Sequence, residues 1–334
     1  MKFKGIASIM VSAAMLGLTA CGSVVSADNN DLANSRDNGK LKVVCTSFSG
    51  YDWTKEIMGS RADNAEVTYL LDNGADLHSY QPSAADMVRI SGCDVFIYVG
   101  GESEGWAEDA LKEASNKDMK IVKFMDTEGL DTKEEEVKEG MQAEEEEEEG
   151  EGEEEPEYDE HVWLSVKNAE ILCGEIADTL AEADPDGAEE YKANCEAYTA
   201  KLDELDGKFA EVAENAKNKT VIFGDRFPFR YLCDDYGIDY YAAFVGCSAE
   251  TEASFETVAF LAKKTDEVGA KTLFTIENSD GKIAQAIISN TENKDQKVAV
   301  LNSLQSVDAE HIGSGTSYLS LMEENCETLK TALD

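Results

Sequence analysis

Short β-branched runs alternate with helix-period segments twice over, on either side of a long stretch that carries no strand signal. In the first half, residues 41–46, 65–71, 94–99 and 120–124 read as strands, with helices over 53–58, 83–90 and 105–114 between them. After residue 219 the rhythm returns, with strands over 220–223, 238–244, 272–276 and 298–301 and helices over 229–235, 254–268, 282–289 and 318–333. Strands joined through helices need crossover connections, which are right-handed and leave a parallel sheet covered by its own helices. The pattern predicts an α/β fold of two lobes, each with a mostly parallel sheet.

The stretch between them is helical. Tyr191, Cys195, Tyr198, Leu202, Leu205, Phe209 and Val212 recur at steps of four and three, which draws one apolar stripe along one helix face. Starting after Pro185-Asp186-Gly187 and ending near Asn215, such a helix would reach roughly 40 Å and touch both lobes. A stiff spine of this kind limits hinge motion, so small lobe movements are expected. The expected divisions are an N-terminal lobe over 40–183 with an acidic loop over 133–160, a linking helix over 184–216, and a C-terminal lobe over 217–334.

The chain opens like an export signal. Lys2 and Lys4 precede an apolar run over 6–18, and Leu18-Thr19-Ala20-Cys21 follows it; the run is too short to span a bilayer. That tetrapeptide has the pattern of a bacterial lipoprotein signal, in which Cys21 carries lipid and the acyl chains hold the protein at a membrane. Residues 1–20 are then the signal peptide, and the polar residues 21–39 a flexible tether. The expected location is extracytoplasmic and membrane-anchored.

A formal net charge of −41 excludes nucleic acid, whose phosphates need a basic face. Part of that charge is local: residues 144–160 are nearly all acidic, and like-charge repulsion is expected to keep the run solvated. Apart from Cys21, seven cysteines are scattered without any CxxC spacing, which suits small buried residues better than a disulfide framework or a zinc-thiolate site. Cys233 with Cys247 is the one pair considered for a bridge.

Histidine is scarce, and two of the three sit in polar turns: Gly74-Ala75-Asp76-Leu77-His78-Ser79-Tyr80 and His161-Val162-Trp163-Leu164. These two segments, with 94–100 followed by the Trp106 helix and the C-terminal segment 318–333, resemble the metal-specific solute-binding lipoproteins of ABC transporters, which serve zinc and manganese uptake and include adhesin-type lipoproteins. The resemblance covers essentially the whole mature chain. It implies two lobes joined by a long helix, one divalent ion in the cleft, delivery to an ABC permease, no enzymatic step and a monomer. It also implies that His78 and His161 are metal ligands. Neutral imidazoles suit Zn(II), the favoured ion, and mixed nitrogen and carboxylate sites also hold Mn(II).

The second half of the site departs from the family pattern. Its third ligand position falls on Arg226, which has no lone pair to offer, and its fourth on Asn302, a poor zinc ligand. Glu277 and Asp225 are the acids expected to repair the set, with Asp76 as an outer acceptor that orients an imidazole. His311, Glu250 and Glu252 read as surface residues. Two rival readings are a zinc hydrolase, which lacks any HExxH motif, and an adhesin or interaction lipoprotein whose metal site has decayed.

Overall fold

The computed structural model describes residues 39–142, 157–248 and 252–334. The signal over 1–20, Cys21, all but the last residue of the tether, residues 143–156 of the acidic loop, and Glu250 lie outside the described residues.

The first sheet is built from β1 (Lys42–Cys45), α1 (Phe48–Met58), β2 (Glu66–Tyr69), α2 (Ala84–Ser91), β3 (Val95–Tyr98), α3 (Trp106–Lys112) and β4 (Lys120–Lys123). Two helices follow, α4 (Val166–Ala183) and α5 (Ala188–Asn215). The second sheet comes from β5 (Thr220–Phe227), α6 (Arg230–Tyr236), β6 (Asp239–Val245), α7 (Phe255–Val268), β7 (Thr272–Thr275), α8 (Lys282–Asn290) and β8 (Lys297–Val300), before α9 (Ala309–Gly313) and α10 (Tyr318–Leu333).

Both sheets are four-stranded and share one topology, β2-β1-β3-β4 and β6-β5-β7-β8. Every pairing is parallel. In this order the chain leaves the first strand to one side and returns on the other, so loops at the carboxyl ends of the strands border a crevice, the usual place for a ligand in open α/β sheets. The turns that carry His78, Gly100 and Cys247 follow such ends, and Arg226 lies near the carboxyl end of β5.

The local chemistry explains most element boundaries. α1 begins five residues before its apolar periodicity suggests, because the Ser47 hydroxyl accepts the Gly50 N–H and caps it. α4 has no counterpart in the sequence-based expectation. Ser165 caps it through the Asn168 N–H, and Val166, Ala169, Leu172, Cys173, Ile176 and Leu180 bury one face.

α5 spans 28 residues, about 42 Å at 1.5 Å per residue, and buries the expected stripe from Tyr191 to Phe209, with Ala213 as its last buried member. One apolar cluster runs from Val43 and Phe96 through Tyr198 and Leu202 of α5 to Val221 and Phe274 of the second sheet. A smaller one, with Ile222, Leu261, Leu273 and Ile287, fills the other face of that sheet. Among the described residues no helix is long and apolar enough to cross a membrane.

Candidate metal centre

His78 is presented by a short turn after β2. Gly74 takes φ +74° and approaches the backbone of the 306–308 loop, where a Cβ would stand 3.4 Å from the Ser306 carbonyl. Asp76 then caps a single 3-10 turn, Leu77–Ser79, by accepting the His78 backbone N–H at 3.0 Å. With Leu77 buried as the anchor of this turn, the imidazole is held against the crevice. Its Nδ1 lies 2.7 Å from the Ser103 hydroxyl, whose own backbone N–H donates to Glu160.

His161 comes from the second polar turn and is fully buried. Asp159 Oδ1 accepts the His161 backbone N–H at 2.9 Å and faces its Nδ1 at 2.8 Å. Neighbouring contacts lock the turn. Tyr231 donates to the Asp159 carbonyl, the Trp163 indole N–H to the Ser303 carbonyl, and the Tyr318 hydroxyl to the Trp163 carbonyl. Gly246 lies against the ring, so that a Cβ there would come within 2.9 Å of His161 Cε1.

These two turns, 83 residues apart in sequence, bring His78 Nε2 and His161 Nε2 to 3.0 Å. A carboxylate only accepts, so Asp159 fixes the proton of His161 on Nδ1 and leaves a lone pair on Nε2. His78 then donates from its Nε2, while its Nδ1 accepts from Ser103. The serine hydroxyl is both donor and acceptor. Turned to accept, it holds equally well the His78 tautomer protonated on Nδ1, in which both Nε2 atoms carry a lone pair. Burial, and then the neighbouring His161, push the His78 pKa down to about 3, so this imidazole is neutral at ordinary pH.

Cys247 completes a cluster. Its Sγ and one ring nitrogen of each histidine lie within 4.8 Å of one another. It sits on the turn after β6, where its backbone N–H donates to Glu135 at 3.2 Å. Burial, then the charges of Glu135, Asp159 and Glu160, raise the thiol pKa well above its ordinary value.

The expected acids are placed differently. Glu277, at the end of β7, is tied up by the 303–306 loop: its carboxylate accepts the Ser303 N–H and hydroxyl at 2.7 Å, and the N–H groups of Gln305 and Ser306 at 3.3 and 3.4 Å. It is a loop anchor and stands outside the histidine cluster. Asn302 is a turn residue, with its side-chain oxygen accepting the Leu304 N–H and its backbone paired with Asn325.

A one-residue bulge in β5, between Phe223 and Arg226, re-aims the next two side chains. Arg226 reaches across to pair with Asp76 and also donates to the Ser248 carbonyl. Burial raises the Asp76 carboxyl, but the Arg226 charge overrides it and holds the group below its ordinary range. Asp76 therefore orients the His78 backbone and Arg226, and the acceptor that orients an imidazole is Asp159. Asp225 and His78 share the wall of a cavity of about 500 Å³ with Asp76, Arg226 and Ser248. Asp225 Oδ1 accepts the Arg226 N–H, and its buried Oδ2 has no hydrogen-bond partner.

Other expectations resolve plainly. Cys233 and Cys247 are both free thiols. His311 is exposed on Asp308, and Glu252 is exposed. Asp159 and Glu160, read as the end of a solvated acidic run, are both 2% exposed, because the flanks of that run return to the body: Lys133 accepts the Asp159 N–H, and the Gln142 N–H donates to Ala243 of β6. Cys247, Asp159 and Ser103 are the site residues that sequence reasoning missed. The available signals were the Gly-Cys-Ser turn at the end of β6 and an acid two residues before His161.

Residues 43–332 match the family described as zinc-uptake complex component A, periplasmic. The chain belongs to that family. It is 31% identical over 302 residues to the zinc-binding protein AdcA of Streptococcus pyogenes serotype M3, covering 89% of this chain but 56% of AdcA, so it spans little more than half of that relative. Against the high-affinity zinc uptake system protein ZnuA of Bacillus subtilis it is 31% identical, with 97% of this chain and 96% of ZnuA covered. Among solved structures, the Zn(II)-bound ZnuA-like domain of Streptococcus pneumoniae AdcA superposes with a TM-score of 0.70 at 30% identity, covering 89% of this chain and all of that domain.

Proposed function

We propose that this zinc-uptake family member captures a divalent transition metal outside the cytoplasm, Zn(II) in preference to Mn(II), and delivers it as cargo to an ABC permease. The observation that carries the reading is the pair of Nε2 atoms 3.0 Å apart, each ring held from behind through Nδ1. Metal-bound histidines are held in this way by an acceptor on the second ring nitrogen. Relatives named for zinc binding and zinc uptake support the same ion.

In this reading residues 40–183 and 217–334 are two lobes spaced by the 184–216 helix, and Cys21 anchors a monomer to the membrane. Asp225, which lines the cavity and keeps one buried oxygen without a hydrogen-bond partner, or a water molecule supplies a remaining donor. Capture needs no bond-breaking step, so selectivity rests on donor type and geometry. Isothermal titration of the purified protein is expected to show one tight zinc site and weaker manganese binding. The double variant His78→Ala with His161→Ala is expected to lose the tight site, and its retention would overturn the reading.

A further inference from the structure

We propose that Cys247 supplies a thiolate as third donor to the ion held between His78 and His161, so that the cargo is a thiophilic ion and Mn(II) is rejected. The inference rests on the reading above and names the chemistry of its site. Six cysteines, Cys45, Cys93, Cys173, Cys195, Cys233 and Cys326, are packed within the large apolar cluster. Cys247 belongs to neither apolar cluster. It stands instead beside two imidazoles, and the three donor atoms lie within 4.8 Å of one another.

The surroundings favour this arrangement over a carboxylate donor. Gly246 is the residue that lets the β6 turn close on His161, since a Cβ there would meet both the ring and the Phe227 carbonyl at 2.9 Å. Among the described residues the donor atoms that cluster are those of His78, His161 and Cys247, with no carboxylate in the group, and Asp159 and Glu277 are engaged on His161 and on the 303–306 loop. Zinc lies about 2.0–2.1 Å from imidazole nitrogen and about 2.3 Å from thiolate sulfur, so small side-chain rotations bring the three donors onto one ion. On binding, the S–H bond breaks, the proton leaves to solvent, and a sulfur–metal bond forms with no change of oxidation state. Thiolate is a soft ligand that suits zinc, whereas manganese prefers oxygen.

Cobalt(II) loaded into the reduced protein under anaerobic conditions reads the donor directly. The parent protein is expected to show a sulfur-to-cobalt charge-transfer band in the near ultraviolet, absent from Cys247→Ser. Because outer partners alone are worth about 10–100-fold in affinity, loss of the sulfur is expected to weaken zinc by about 100-fold or more, and to lower the zinc-to-manganese affinity ratio. Cys247→Asp, which replaces sulfur by oxygen, is expected to lack the band and to gain manganese affinity. Cobalt binding by the parent without the band, or an unchanged zinc-to-manganese ratio in Cys247→Ser, would overturn the thiolate while leaving the two-histidine site standing. Failure of the parent to bind zinc or cobalt at all would overturn both. The band in the parent protein tests the inference even if a variant fails to fold.

Discussion

At the scale of single residues, the site depends on which nitrogen carries a proton. Asp159 accepts from both the backbone and the ring of His161, and so holds the tautomer that leaves Nε2 bare. Asn in its place presents an amide N–H that is free to donate to Nδ1 and send the proton to Nε2. Asp159→Asn is therefore expected to weaken zinc binding by about 10–100-fold, measured by competition with a chelating dye. The two histidines were legible in the sequence because each sits in a distinctive turn. Cys247 was not, because periodicity shows only that a cysteine follows a strand, while its approach to His161 depends on a glycine contact that exists only in the folded chain.

At the scale of elements, α1 and α10 are joined by a half-buried acid. Asp52 on α1 accepts the Tyr318 N–H at the first turn of α10, at 2.9 Å, and burial raises its pKa from 3.8 to about 7 against the pull of that hydrogen bond. A carboxyl raised on folding binds its proton more tightly in the native state. The native state then gives up stability as pH rises from about 4 through about 7, where the unfolded chain ionises first. Asp52→Asn keeps an acceptor for Tyr318 and removes this loss. Its melting temperature is expected to match the parent near pH 4 and to exceed it by a growing margin toward pH 8.

The same scale shows what sequence patterning captures. The strands and most helices fell within a few residues of expectation, since alternating short apolar runs and amphipathic stretches are local signals. α4 escaped although its stripe is regular, and the bulge in β5 escaped because nothing in Gly224-Asp225-Arg226 marks an extra residue against β6. That bulge is what aims Arg226 at Asp76, so the part of the site least readable in advance is the part set by cross-strand register.

At the scale of the whole molecule, charge governs encounter. A net charge of −41 gives the chain a field that attracts cations, and salt screens it as the Debye length falls from about 30 Å at 0.01 M to about 3 Å at 1 M. The stopped-flow association rate of zinc is expected to fall by about tenfold or more across that range. An unchanged rate would show that donors inside the crevice, and not the field outside it, set the speed of capture.

The apolar seam has a consequence for anyone who wishes to dissect the molecule. Tyr198 and Leu202 of α5 belong to one cluster with Val43 and Phe96 of the first sheet and Val221 and Phe274 of the second. A cut between α4 and α5 would strip α1 and α4 of the apolar stripe packed on them and leave that stripe bare on the other fragment. Severed fragments would stick to each other or precipitate before either behaved as a free-standing body, so the two sheets are best regarded as wings of a single indivisible interior.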